Sequence, residues 1–164
     1  RVSRRQRQMC IRDSSRGYDN ERKNFKSFNN FYLSPIICYE SVYGEYVTEY
    51  TRSGSKLFAI ITNDGWWDVS EGHKQHLSYA KLRAIENRRN IVRSANTGVS
   101  AIINYRGEIE DSIEYGEEGF INTNVGLIEE KTFYVNYGDY IFRISLFFFI
   151  IIGLHFLATI VKIK

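Results

Sequence analysis

A thiol stands between a short apolar run and a carboxylate in Pro-Ile-Ile-Cys-Tyr-Glu, residues 35–40. A cysteine can act as a covalent nucleophile when a rigid element holds its sulfur at a pocket and neighbouring groups favour the thiolate. Cys38 has the position for this chemistry, at the end of a run that reads as a buried strand. Taken by itself it fits a small buried hydrophobe equally well. Glu40 follows two residues later, where an acid also suits the start of a helix. Asn63-Asp64-Gly65 is a turn signal directly after a second apolar run. His73 and His76 are three apart but lack a third ligand at useful spacing, and H-x-x-H is not the zinc-binding H-E-x-x-H. No metal and no cofactor is expected. The histidines read as surface residues or as hydrogen-bonding support.

The elements that must position these residues are visible as patterns. Phe31–Ile37 reads as a strand, and the chain's single proline, Pro35, suggests an edge or a bulge there. Ser41–Arg52 predicts a short helix ended by Gly54. Leu57–Thr62 is continuously apolar and predicts a strand buried on both faces. His73–Arg89 predicts the best helix, with Leu77, Ala80, Ala84, Ile85 and Arg88 along one narrow stripe on the outside of a sheet. Asn90–Ser94 and Val99–Asn104 predict strands flanking Ala95-Asn96-Thr97-Gly98, and Arg106-Gly107 predicts a turn into Glu108–Ile113. Gly119–Val125 is a further strand candidate. The alternation of strands and helices indicates an α/β layered fold.

The C-terminus differs in kind. Ile144–Val161 holds no Asp, Glu, Lys or Arg. As a helix this run is about 27 Å long, near the hydrocarbon thickness of a bilayer. A transmembrane helix is expected, followed by a short basic tail over residues 140–164. Lys162 and Lys164 beyond the span, against Arg143 before it, favour a cytoplasmic C-terminus, with the α/β domain on the other side.

The N-terminus is also unlike the rest. Residues 1–14, RVSRRQRQMCIRDS, carry five arginines and one aspartate, which leaves the other 150 residues at a net charge of −1. The overall charge of +3 therefore gives no support to nucleic-acid binding. MCIRDS back-translates to a sequencing-adaptor end, so this stretch reads as a scar and the natural N-terminus is expected upstream. Cys10 falls inside it. Cys38 is then the remaining thiol, and neither a disulfide framework nor a cysteine metal site is available. Residues 15–30 are polar and read as loop.

The stretch PIICYESVYGEYVTEYTRSGSKLFAIITNDGWW, with GHKQHLSYAKLRAIENRRNIVRSANTGVSAIINYRGEI and FYVNYGDYIFR, resembles the carbon–nitrogen hydrolase (nitrilase) superfamily. Within it, the stretch resembles the extracytoplasmic domain of bacterial apolipoprotein N-acyltransferases, over about residues 31–161. The resemblance implies part of an αββα sandwich, at residues 31–139, followed by one transmembrane helix. It implies transfer of a fatty acyl chain from a phospholipid, through a cysteine thioester, to the diacylglyceryl-cysteine of a lipoprotein at the bacterial inner membrane. Carried over, Cys38 is the nucleophile, the Tyr39 backbone N–H an oxyanion donor, and Glu40 a catalytic acid beside the nucleophile, expected to polarise the site or take part in amine attack. Trp66 matches an aromatic residue near the pocket, where core or interface packing is the plain alternative. Asn63 and Asp64 are expected to fix a turn and bond to backbone near the site, and Asn96 to support and line the pocket. The family's catalytic lysine and first glutamate lie well upstream of its nucleophile. Lys23 and Lys26 lack the apolar strand context and are not assigned, so this chain is expected to be inactive alone. Two other readings remain: an amidase-type hydrolase with water as acceptor, and a membrane-tethered domain without chemistry.

Overall fold

The computed structural model describes residues 22–68 and 70–163. The expectations for residues 1–14 and for residues 15–21 lie outside the described residues. Six strands form one mixed sheet in sequential order: β1 (Phe25–Lys26), β2 (Tyr32–Ile37), β3 (Ser55–Thr62), β4 (Asn90–Ala95), β5 (Ser100–Ile103) and β6 (Ile109–Ile113). Strands β2, β3 and β4 are parallel, whereas β1 and the β4–β5–β6 meander are antiparallel. The polar stretch expected as loop thus contributes an edge strand, because Phe25 and Lys26 pair with Leu33 and Tyr32. No β1 pairing extends to Pro35, which lies on the sheet edge where a missing N–H is tolerated.

Parallel neighbours need crossovers, and helices supply them. A short 3-10 helix (Cys38–Val42) and α1 (Gly44–Arg52) join β2 to β3, and α2 (Glu71–Asn87) joins β3 to β4. The register sets Ile36 beside Ile60 and Ile60 beside Arg93, so these three side chains project to the same face. Val47 and Tyr50 from α1 and Ala80 and Ala84 from α2 close over that face. The opposite face is open. Ile37 and Ile61 are paired neighbours, 45% and 53% exposed. Strand β3 is therefore buried on one face, not on two as its composition predicted, because helices cover a single side of the sheet. The result is one αβ half of a layered sandwich.

Helix α2 also departs from its predicted stripe. Its buried residues are His73, His76, Ala80, Arg83, Ala84 and Asn87, while Ile85 is half exposed. Arg88 is the left-handed cap that ends the helix, at φ 48°. The two alanines permit close approach to the sheet. The rest of the contact face is polar because it meets buried hydrogen-bonding groups.

Gly119–Val125 forms no strand; it belongs to an irregular strap between β6 and α3 (Phe133–Tyr137). Phe120 is exposed, and the segment has no ladder partner among the described residues. Buried Arg89 holds the later part of the strap through the carbonyls of Glu129 and Glu130, and also binds the Ser55 carbonyl. Gly107, at φ 80°, makes the left-handed corner between β5 and β6 that a side chain would strain.

Helix α4 (Tyr140–Ile163) follows α3. Its 21-residue span Tyr140–Ile160 has a mean hydropathy of 2.3 and is unburied. It is long and apolar enough to cross a membrane. Glu45 of α1 accepts hydrogen bonds from the Asp139 N–H and from Arg143, which ties the base of α4 to the sheet domain.

Candidate active site

Strands β2, β3 and β4 end side by side, and the residues that follow them meet there. Cys38 comes directly after β2, half-buried, with φ at 48°. A side chain in this left-handed region costs roughly 1–2 kcal/mol, so the surroundings must hold it. Ser41 donates a hydrogen bond to the Cys38 carbonyl at 2.9 Å, and the His76 Nε2 lies 3.1 Å from the same oxygen. Thr62, the last residue of β3, places Oγ1 3.3 Å from the Cys38 sulfur.

Both supports converge on one carboxylate. Asp64 is fully buried. Its Oδ1 lies 3.0 Å from Thr62 Oγ1 and 2.8 Å from His76 Nδ1. Its Oδ2 accepts from Arg93 Nη2 at 2.5 Å. Arg93 also donates to the Val99 carbonyl. Burial pushes the Asp64 carboxyl up, but the His76 hydrogen bond and the Arg93 charge outweigh it, and the net shift is downward. Gly98 is required beside this group, because a Cβ there would run into the Asp64 carboxylate. The C-terminal ends of β3 and β4 are thus joined beneath Cys38 by a buried ion pair.

Glu40 is engaged at both oxygens. Oε2 accepts from the Ile37 N–H at 2.8 Å, and Oε1 accepts from the Tyr46 hydroxyl at 2.8 Å. Burial, then Tyr50 and Glu40 itself, push the Tyr46 phenol up, so it remains a donor. Asn63 Oδ1 accepts from the Gly65 N–H at 3.1 Å, the turn role its sequence suggests. Tyr39 is half exposed, edge-on to Tyr43. Trp66 is also half exposed, while Trp67 lies against His76 with ring centroids 5.4 Å apart. A small open cleft of about 100 Å³ lies between Tyr39, Trp67, His76 and Tyr79. Asn96 has its side chain exposed, and its backbone N–H bonds to the Thr62 carbonyl at 3.0 Å.

The family model for the carbon–nitrogen hydrolases matches residues 16–129, most of the chain and the whole of this site. The chain belongs to the carbon–nitrogen hydrolase family. Among solved structures, it resembles a carbon–nitrogen hydrolase from Helicobacter pylori G27, with a TM-score of 0.54 at 14% identity, covering 61% of this chain and 42% of that one. It also resembles a nitrilase-superfamily protein from Saccharomyces cerevisiae, with a TM-score of 0.50 at 17% identity, over 62% and 40% of the two chains. These likenesses bear on the fold. Curated relatives named apolipoprotein N-acyltransferase include one from Geobacter metallireducens, 41% identical over 104 residues, or 63% of this chain and 20% of the relative. Another, from Thermotoga maritima, is 32% identical over 126 residues, 75% of this chain and 25% of the relative. The chain spans a fifth to a quarter of the length of these two relatives.

For this carbon–nitrogen hydrolase domain, sequence reasoning singled out Cys38 and its neighbours but passed over most of the groups that touch them. Thr62, Ser41 and Arg93 were not singled out, and His76 was read as surface or supporting. Both His73 and His76 are buried; His73 packs against Tyr115 with centroids 4.5 Å apart and rings tilted by 41°, while His76 bonds to Asp64. The available signal was Arg93. It alternates with Ile91 on a strand, so it shares the buried parity, and a buried cation needs an acid partner.

Proposed function

We propose that this chain carries the nucleophile of an N-acyltransferase that moves a fatty acyl group from a phospholipid to a lipoprotein's N-terminal diacylglyceryl-cysteine. The carrying observation is Cys38, held left-handed at a strand end, in a domain joined to a long helix apolar on all sides. The relatives named apolipoprotein N-acyltransferase support the same reading.

In the first half-reaction the Cys38 sulfur attacks the ester carbonyl carbon of the phospholipid. The C–O bond breaks, the thiol proton ends on the leaving oxygen, and lysophospholipid departs. The Tyr39 N–H stabilises the oxyanion. In the second half-reaction the lipoprotein amine attacks the thioester, an amide forms, and the amine's proton returns to sulfur. Glu40 holds the turn that presents the sulfur, since both its oxygens are occupied by Ile37 and Tyr46. The turns at Asn63 and Asn96 keep the ends of β3 and β4 in register beside the sulfur. The proton-carrying glutamate and lysine implied by the family are assigned to no residue of this chain. Helix α4 anchors the domain at the cytoplasmic membrane, with the site on the extracytoplasmic side.

The test uses the full-length enzyme, a labelled phospholipid and a diacylglyceryl lipopeptide. Labelled acyl groups should appear on Cys38 and then on the lipopeptide amine, and Cys38→Ser should abolish both. The 164-residue chain alone should form no thioester. Release of free fatty acid without amide formation would move the reading to a hydrolase. Transfer undiminished in Cys38→Ser would leave a non-catalytic domain.

A further inference from the structure

The Thr62 hydroxyl has a single hydrogen and two neighbours that compete for it. One is the Cys38 sulfur at 3.3 Å and the other is Asp64 Oδ1 at 3.0 Å. An ionised carboxylate can only accept, whereas a thiol can donate weakly and a thiolate can only accept. While Cys38 is a thiol, every group is satisfied if S–H points at Thr62 Oγ1 and the Thr62 O–H points at Asp64. Once the thiol proton has left, the sulfur needs a donor. The Thr62 hydroxyl, 3.3 Å away, can turn to it by rotation about one bond. Asp64 can release that hydrogen bond without being stranded, because His76 still serves Oδ1 and Arg93 still serves Oδ2.

We propose that Thr62 is a catalytic residue that accepts from the Cys38 thiol at rest and turns its hydroxyl from Asp64 to the sulfur when the thiolate forms. Asp64, His76 and Arg93 are positioning residues for this exchange. They fix the carboxylate that holds the hydroxyl, and His76 meets the Cys38 carbonyl from the other side. The inference rests on Cys38 being the nucleophile. It concerns the sulfur's reactivity and not the identity of the acyl donor or acceptor.

Its test therefore reads the sulfur directly. The full chain, in detergent and carrying Cys10→Ser, is alkylated with iodoacetamide near neutral pH, and the Cys38 peptide is followed by mass spectrometry. The thiol proton passes to buffer and iodide leaves as the S–C bond forms. Thr62→Val keeps the branched shape and removes the hydroxyl; its rate should fall about tenfold, the worth of one hydrogen bond to a charged group. Thr62→Ser restores the hydroxyl and should react within about twofold of the parent. Thr62→Ala should behave as Thr62→Val, and the Ser/Ala pair carries the comparison if Thr62→Val fails to melt cooperatively. Equal rates with and without the hydroxyl overturn the proposal, as does a Thr62→Ser rate as low as that of Thr62→Ala. The acyl-transfer test of Cys38→Ser is separate. If it fails while the alkylation rates follow the hydroxyl, the proposed reaction falls and the Thr62–sulfur coupling stands.

Discussion

Asp64 is the residue on which the site's geometry turns. It is fully buried, and its charge is tolerated because Arg93 and His76 both reach it. Removing one partner of such a pair costs more than the pair contributes, about 3–5 kcal/mol, because the other charge is left uncompensated. Arg93→Met should therefore destabilise the chain strongly, whereas Arg93→Met with Asp64→Asn should recover much of the loss, as read by denaturant unfolding. The same carboxylate sets an acid limit. Its native proton affinity is shifted downward, so the folded state favours the ionised form. That stability is fully present above the unfolded value, near 4, and is lost as pH falls through the lower folded value. Melting temperature should drop steeply below about pH 4 in the parent chain and less steeply in Asp64→Asn. At this scale the positions of Cys38 and Glu40 at a strand end and of Asn63 in a turn were legible, since each stands beside an apolar run or a turn signal; the buried side-chain partners of Asp64 were not. Nor were Thr62 and Ser41. A hydroxyl at a strand end or in a turn has no local mark, and its role comes from a carboxylate or sulfur reached through the fold.

Among the elements, α2 shows why an apolar stripe can mislead. Leu77, Ala80, Ala84 and Ile85 form a narrow apolar stripe that Arg88 interrupts, yet the buried face runs through His73, His76, Arg83 and Asn87. The helix turns toward partners that neutralise its polar groups: His76 to Asp64, and Asn87 to the Thr51 hydroxyl at 2.8 Å. The alanines are common to both faces and mark the true contact. Ala80→Leu should cost about 1–3 kcal/mol by overpacking a closed site. Ile85→Ala, at a half-exposed position, should cost about 1 kcal/mol or less. Thermal unfolding of the two variants separates the predicted stripe from the observed one. Strands β2 to β6 were better read, because each is a short run with Ile or Val between turn residues, whereas β1 and the irregular Gly119–Val125 were not. Strand burial was not legible either, since composition cannot say whether one face of a sheet or both faces will be covered.

Over the whole molecule, two kinds of apolar surface remain uncovered, and they call for different partners. The open face of the sheet presents Ile37 and Ile61, on the same face as the partly buried Leu33, Leu57 and Val92. Helix α4 instead exposes Phe147, Phe148, Phe149, Ile152 and Leu157 around its circumference. A helix unburied on every side has no face for a sheet to cover, and this one is long and apolar enough to cross a membrane. Its 24 residues give a length of about 36 Å, enough to span a core of about 30 Å with some tilt. The brace between Glu45 and the Asp139–Arg143 segment lies at one end, so the sheet domain should be held against the membrane surface rather than hang from a free tether. The chain reconstituted into vesicles should resist alkaline carbonate extraction, and deletion of residues 144–161 should release it to the supernatant. A single Ile151→Asp change near the middle of the span should weaken insertion by about 3 kcal/mol, visible as a partly extractable chain. Glu45→Ala should leave extraction unchanged, since hydrocarbon burial and not the brace holds the helix in. It should instead raise protease access to residues 132–139, where the brace joins the two parts. Resistance to extraction after residues 144–161 are removed would mean that the sheet domain itself binds lipid.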